Sequence, residues 1–235
     1  MSIKQFLAKI KEFLSSIIPE QTVESSKKKW DKLAKMNSKY VIVSKKGEEI
    51  DNEEFRALGI ENYTNLVKND PLLLGKLSNF SDKDVLEIGC GIGRMSEFFA
   101  QDFKSITGVD ISEEMIKQGK ARLANLTNLK LVATSGQTFP FSDENFDLVF
   151  SYLVFQNMPS KEVVEVNFRE VFRVLKKGGV AKIQIRGGFQ PYRWQWFYGP
   201  AFNLTEVSAM VNKIGFKIIK TTGEKEKRFW LWLEK

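Results

Sequence analysis

Hydrophobic positions recur at two different periods along this chain. In residues 3–18, Ile3, Phe6, Leu7, Ile10, Phe13, Leu14, Ile17 and Ile18 return every three or four positions. That spacing predicts one apolar stripe on an amphipathic helix, which Pro19 ends. Residues 20–29 are polar and read as a linker or exposed turn. Residues 30–80 read as mostly helical, with Trp30, Leu33 and Met36 on one face and Phe55, Leu58 and Ile60 further on. From Asp84 the pattern changes. Short apolar runs at 85–88, 106–109, 129–133, 146–150, 180–185, 216–219 and 229–233 predict seven strands. Helical patterns at 95–101, 113–123, 161–175 and 204–213 lie between them, the last opened by Asn203 and Glu206 at capping-box spacing. Short apolar strands alternating with helices predict an α/β open sheet, mostly parallel and covered on both faces. The change of pattern divides the chain into an N-terminal helical extension, 1–80, and an α/β domain, 81–235.

Composition narrows the chemistry. The chain has 235 residues, 43% hydrophobic and 28% charged, with one cysteine and no histidine. The lone Cys90 excludes an internal disulfide and fits a reducing compartment. The absence of histidine excludes Ser-His-Asp and Cys-His catalysis and two-His metal sites. No metal is expected. Charge is uneven: residues 1–47 carry eleven lysines against Glu12, Glu20, Glu24 and Asp31, and the C-terminal quarter is also basic, around an acidic middle. Basic ends suit nucleic acid or an anionic membrane, and equally suit solvated faces. No apolar run reaches the roughly 20 residues of a membrane span, and lysines interrupt any signal-like core at the start, so a cytoplasmic protein is expected. The 3–18 helix has three readings: packed on its own domain or a second subunit, lying at a membrane interface, or ordered by a partner.

The sharpest feature is Glu87-Ile88-Gly89-Cys90-Gly91-Ile92-Gly93 between the first strand and its helix. Glycines there let the backbone turn tightly and approach a ligand closely. Asp110 closes the second strand in Gly108-Val109-Asp110-Ile111-Ser112, where an acid can accept from both hydroxyls of a ribose. A dinucleotide fingerprint needs a glycine where Arg94 stands, and no Gly-Lys-Ser/Thr follows to make a P-loop. Glu87 would repel a phosphate and suits a cationic group such as an amino-acid ammonium.

These two segments, with residues 139–149 (Phe-Pro-Phe-Ser-Asp-Glu-Asn-Phe-Asp-Leu-Val) and 171–179 (Val-Phe-Arg-Val-Leu-Lys-Lys-Gly-Gly), resemble the class I S-adenosylmethionine-dependent methyltransferases. The resemblance covers about residues 83–188. It implies a Rossmann-like sheet of seven strands with the last antiparallel, S-adenosyl-L-methionine as cofactor, and residues 30–80 as a substrate-selecting lid. It implies that Glu87 helps hold the methionine ammonium and that Gly89, Gly91 and Gly93 let the backbone pass along methionine and ribose. Asp110 would bind the ribose hydroxyls, Ile111 would lie against the adenine, Ser135 and Gly136 would face the adenine edge, and the Ser151 backbone would meet the methionine end.

Two departures stand out. Ser135 occupies a place where the family often has an acid, which implies looser cofactor binding. Asn157 stands near a position where many relatives carry histidine, and an amide cannot act as a base. Tyr152, Tyr192 and Tyr198 are then the candidate local proton handlers, with packing or hydrogen bonding as the alternative for each, and Tyr152, Asn157 and Tyr192 are positioning candidates. The loop 186–200 follows the fifth strand and should overhang the site. Its Arg186, Arg193, Trp194, Trp196 and Tyr198 suit a flat, sugar-like or anionic substrate, or pack against residues 30–80. The expected function is methyl transfer to a small-molecule or sugar-containing acceptor, at oxygen or nitrogen. Two alternatives stay open: an RNA or ribosome-associated protein methyltransferase, motivated by the basic ends and the tryptophans, and a non-catalytic scaffold keeping the fold. The oligomeric state is not read from the sequence.

Overall fold

A computed structural model describes residues 22–43, 50–188 and 199–235. The 3–18 helix, Tyr192, Arg193, Trp194, Trp196 and Tyr198 therefore lie outside the described residues.

The seven strands form a single sheet: β1 (Asp84–Ile88), β2 (Ser105–Asp110), β3 (Leu129–Ala133), β4 (Phe146–Ser151), β5 (Leu175–Ile185), β6 (Lys217–Thr222) and β7 (Phe229–Glu234). Their order is β3-β2-β1-β4-β5-β7-β6. The first five pair in parallel, while β7 inserts between β5 and β6 and pairs antiparallel with both. This is the Rossmann-like α/β fold that the motif resemblance implied. The carboxyl ends of β1 to β5 lie along one edge, and the antiparallel β7 brings its amino end to that same edge. Its Phe229 is opposite Ile185.

Seven α-helices are described: α1 (Val23–Val43), α2 (Asn52–Tyr63), α3 (Pro71–Leu77), α4 (Ser96–Asp102), α5 (Glu113–Arg122), α6 (Lys161–Val174) and α7 (Leu204–Ile214). The capping box expected at α7 is present: Asn203 accepts from the Glu206 N–H while Glu206 accepts from the Asn203 N–H. One face of the sheet packs on α6 and α7 through Phe168, Val171, Val207 and Val211, all fully buried. The opposite face is covered by α4 together with Tyr63, Val67, Leu73 and Leu77 from the N-terminal region. Residues 63–77 thus contribute a layer of the sheet's own core.

The polar stretch 20–29 requires a correction. Helix α1 begins at Val23, so most of the expected linker is helical. Thr22 and Ser25 cap it reciprocally, each side-chain oxygen accepting the other's backbone N–H at 2.9 and 3.0 Å. The pattern is a capping box with serine in the acidic place. Its lysines are solvated or paired, as Lys27 is with Glu113 at 2.6 Å, so polarity there marks an outer helix face and not a loop.

Helix α1 kinks at Asn37 and lies on α5. Asp31 accepts hydrogen bonds from the Ser112 hydroxyl at 2.6 Å and the Glu114 N–H at 3.2 Å, adding a carboxylate to the amino end of α5. No described helix is long and apolar enough to cross a membrane.

Candidate functional site

A cavity of about 950 Å³ runs along the strand carboxyl ends. That is where ligands of open α/β sheets bind, because the chain diverges there and leaves a crevice. Its floor is the glycine loop and the residues closing β1, β2 and β4, and Val23, Trp30, Leu33 and Ile42 of α1 overhang it.

The glycine loop approaches its neighbours too closely for side chains. Gly89 has φ +73°, and a Cβ built there would fall 2.1 Å from Val154 Cγ2. Gly91 has φ +55°, and its Cβ would meet Ile42 Cδ1 at 2.8 Å. Both conformations are in the region that favours glycine.

Asp110 anchors this loop. One carboxylate oxygen accepts the Gly91 N–H and the other the Ser112 N–H, each at 2.9 Å. A carboxylate offers about four lone-pair sites, so these two bonds leave acceptor capacity for a ligand hydroxyl. Burial raises the Asp110 carboxyl from its ordinary range, against the pull of the Ser112 and Gly91 N–H groups.

Glu87 is buried at the end of β1 and accepts the Ser96 hydroxyl at 2.5 Å. Burial pushes its pKa up to about 7, opposed by that hydroxyl and by Arg94. Cys90 also borders the cavity, but burial pushes its thiol up, so it stays un-ionised.

The expected site residues divide into groups. Glu87, Gly89, Gly91, Asp110, Ile111, Gly136, Tyr152, Asn157 and Arg186 are brought together on the cavity wall. Gly93 lies behind the loop, where its carbonyl accepts from Arg122 at 2.6 Å. Ser151 is fully buried, and its hydroxyl donates to the Ile88 carbonyl at 3.1 Å, tying the ends of β1 and β4. The Ser135 hydroxyl caps its own turn, accepting the Gln137 and Thr138 N–H groups, while Thr134 borders the cavity beside it. Asn157 donates to the Leu153 carbonyl at 2.7 Å and so braces the loop after β4.

Three residues important to this geometry carry no signal in the sequence. Arg122, at the end of α5, donates to the Ile92 and Gly93 carbonyls and pairs with Glu97, bracing the glycine loop from outside. Asn167 on α6 donates to the Gly136 carbonyl at 2.9 Å. Gln184 is fully buried in β5. Its oxygen accepts the N–H of Leu153, which has a left-handed φ of 63°, and its nitrogen donates to Gln156 and to the Lys227 carbonyl. One amide thereby holds the loops before β7 and after β4 in a single arrangement.

Comparison with known proteins matches this geometry to a family. Residues 85–179 match the methyltransferase domain family, covering the glycine loop, Asp110 and the strand after it. The match supports a class I S-adenosylmethionine-dependent methyltransferase family for the domain that these residues span. It is 38% identical to an uncharacterized protein of Methanocaldococcus jannaschii, over 58% of this chain and 66% of that one. It is 35% identical to a demethylmenaquinone methyltransferase of Staphylococcus aureus, over 40% of this chain and 39% of the relative. The chain therefore spans just under two thirds of the first relative's length and about two fifths of the second's. A methyltransferase structure from Clostridium acetobutylicum shares the fold, with TM-score 0.60 and 15% identity over 87% of this chain and 98% of that one.

The cofactor of this family is S-adenosyl-L-methionine, and the cavity's donor set fits it. Asp110 offers acceptors for a ribose, Glu87 a carboxylate for an ammonium, and the glycine loop an uncovered backbone between them. Titration of Glu87 then has a direction. Below pH 7 its carboxyl holds a proton and attracts an ammonium weakly, so S-adenosylhomocysteine should bind more tightly as pH rises from 6 to 8. Glu87→Gln should flatten that profile in calorimetric titrations. The free protein responds oppositely. Between the ordinary value of 4.5 and about 7, the native state holds a proton that the unfolded chain has lost. The Glu87 contribution to stability therefore falls as pH rises through that window.

Proposed function

We propose that this chain transfers the methyl group of S-adenosylmethionine to a small-molecule acceptor with a flat or apolar body. The observation that carries the reading is the cavity itself: acids suited to the cofactor at β1 and β2, with further space beyond β4 walled by Val154, Met158 and Tyr152. The named demethylmenaquinone relative supports a ring-bearing acceptor. In the proposed division, residues 1–80 form the extension whose α1 serves as lid, and 81–235 form the cofactor-binding domain.

When bound, the cofactor supplies a methyl group on a sulfonium with a good leaving group, so the protein mainly positions the nucleophile and excludes water. In this reading Asp110 accepts the ribose hydroxyls and Glu87 the ammonium. Gly89, Gly91 and the Gly136 carbonyl held by Asn167 line the path between. Trp30 and Leu33 of α1 close the mouth against solvent. Ile111 and Thr134 border the adenine end. Arg186, together with Arg193, Trp194, Trp196 and Tyr198 of the loop beyond it, is assigned to the acceptor. The Asn157 amide braces a loop and does not titrate, so an acceptor that arrives already nucleophilic is favoured, such as an amine, a carboxylate or an ionised phenol.

The test is S-adenosylhomocysteine formation by the purified protein with a panel of amines, phenols, quinols and carboxylates. At least one small acceptor should raise turnover well above the acceptor-free rate. Tight cofactor binding with no turnover on any of them, but turnover on RNA, would replace the small-molecule reading.

A further inference from the structure

Charge on the cavity wall is divided along the sheet edge. Among the described lining residues the acids are Glu87 and Asp110, at the ends of β1 and β2, and the cations are Arg94, Arg186, Lys227 and Arg228. Both acids are taken up by the cofactor in the proposed reading. Three of the four cations lie beyond β4: Arg186 directly follows β5, and Lys227 and Arg228 directly precede β7. Because Ile185 is opposite Phe229 in the antiparallel ladder, the next residues outward, Arg186 and Arg228, flank the same end of the cavity.

These cations are placed at a cost. Arg186 is 4% exposed and Arg94 8% exposed, and taking an ion out of water costs several kcal/mol unless a counter-charge and hydrogen bonds answer it. The Arg94 Nε has no hydrogen-bond partner. The Arg94 Nη1 donates to the Leu58 carbonyl at 3.3 Å, and the side chain borders the cavity that Glu87 and Tyr152 also line. Arg228 lies 5.6 Å from the centroid of the Tyr152 ring, which also stacks nearly parallel to Trp230 at 5.5 Å. An aromatic face orients a guanidinium without neutralising it and leaves its edge donors for a ligand. Gln184 fixes both loops, so the arrangement is preorganised.

We infer that the acceptor carries an anionic group, a carboxylate or a phosphate, bound between Arg186 and Arg228 beside the Tyr152 ring. The inference rests on the methyltransferase reading and adds the acceptor's chemistry to it. At this end the described lining carries Arg186, Lys227 and Arg228 and no acid, and S-adenosylmethionine itself brings a further net positive charge. An anion placed at this end answers that charge. Its bidentate contact with an arginine would also fix the orientation of the body that reaches toward the methyl group.

The test uses protein saturated with S-adenosylhomocysteine, titrated with benzoate, phenyl phosphate and the neutral benzyl alcohol. At least one of the two anions should bind tenfold or more tightly than the alcohol, and the better one identifies the preferred anionic group. Arg228→Gln, at an exposed position, should remove most of that preference and leave affinity for S-adenosylhomocysteine within about twofold. Arg186→Gln should act in the same direction, with its melting curve recorded beside it. Equal binding of the alcohol and both anions, or no anion binding up to 10 mM (roughly the weak limit at which such contacts still register), overturns the inference. So does an anion preference that survives Arg228→Gln while affinity for S-adenosylhomocysteine falls, since the cations would then serve the cofactor carboxylate. Failure of the intact protein to bind S-adenosylhomocysteine at all sinks the methyltransferase reading, and this inference with it.

Discussion

Asp110→Ala is expected to lower affinity for S-adenosylmethionine and S-adenosylhomocysteine by about two orders of magnitude or more, and methyl transfer with it. Two effects combine. The carboxylate accepts the Gly91 and Ser112 N–H groups, so its removal releases the glycine loop and the turn into α5. In the proposed complex it also accepts the ribose hydroxyls. Hydrogen bonds to a charged group contribute about 1.5–3 kcal/mol each, and two of them correspond to at least a hundredfold in binding. Asp110→Asn separates the effects. An amide oxygen still accepts one backbone N–H, so its melting temperature should stay nearer the parent while cofactor affinity remains weakened. Calorimetric titration of both variants beside their thermal melts provides the check. Parental affinity in Asp110→Ala would show that the ribose is held elsewhere.

Lys182→Met should cost the fold about 3–5 kcal/mol, the range for removing one partner of a buried ion pair. Lys182 on β5 and Asp70, ahead of α3, meet at 2.6 Å with side chains 4% and 6% exposed. The same carboxylate accepts the Trp232 Nε1–H at 2.8 Å and caps α3 through the Leu72 and Leu73 N–H groups. Lys182 also donates to the Leu66 carbonyl and lies over the rings of Trp230 and Trp232. Its loss would leave a buried carboxylate without its counter-ion. Burial raises the Asp70 carboxyl, but the Lys182 ammonium and the donors around it outweigh that and hold it below the usual carboxylate range. Its contribution is therefore complete above the unfolded carboxylate value and lost as pH falls through the lower native one. Denaturant melts of the parent and variant at pH 7 and near pH 2.5, below the unfolded carboxylate value, should show the gap between them shrinking in acid. A variant as stable as the parent at pH 7 would mean that solvent replaces the lysine.

That ion pair bears on how the chain is organised. The pattern of residues 30–80 predicted helices set apart from the α/β domain. Yet Asp70 reaches across more than a hundred positions to Lys182, and Tyr63, Val67, Leu73 and Leu77 fill one face of the sheet. Their apolar spacing marks them as buried, but spacing within one segment carries no information about which distant surface receives it. The misread stretch 20–29 has a related cause. A helix that covers a cavity mouth with one face and meets solvent with the others is mostly polar, and its capping serine stands where the usual pattern has an acid.

The sequence by itself determined the α/β class, the seven strands and the glycine loop and acids that line one end of the cavity. Those features are local: periods of two and 3.6 mark the elements, and Glu87, Gly89, Gly91 and Asp110 reach the cavity from positions set by the strand ends that carry them. Tertiary structure alone decided the rest. Insertion of β7 between β5 and β6 carries Arg228 to the cavity edge beside Arg186. Gln184 joins two loops that are 74 positions apart by the numbering of Leu153 and Lys227. Arg122 and Asn167 hold the glycine loop and the Gly136 turn from helices that show only ordinary amphipathic patterns. Each is a contact between segments remote in sequence, and its chemistry depends on strand order and register, which no local pattern of side chains encodes.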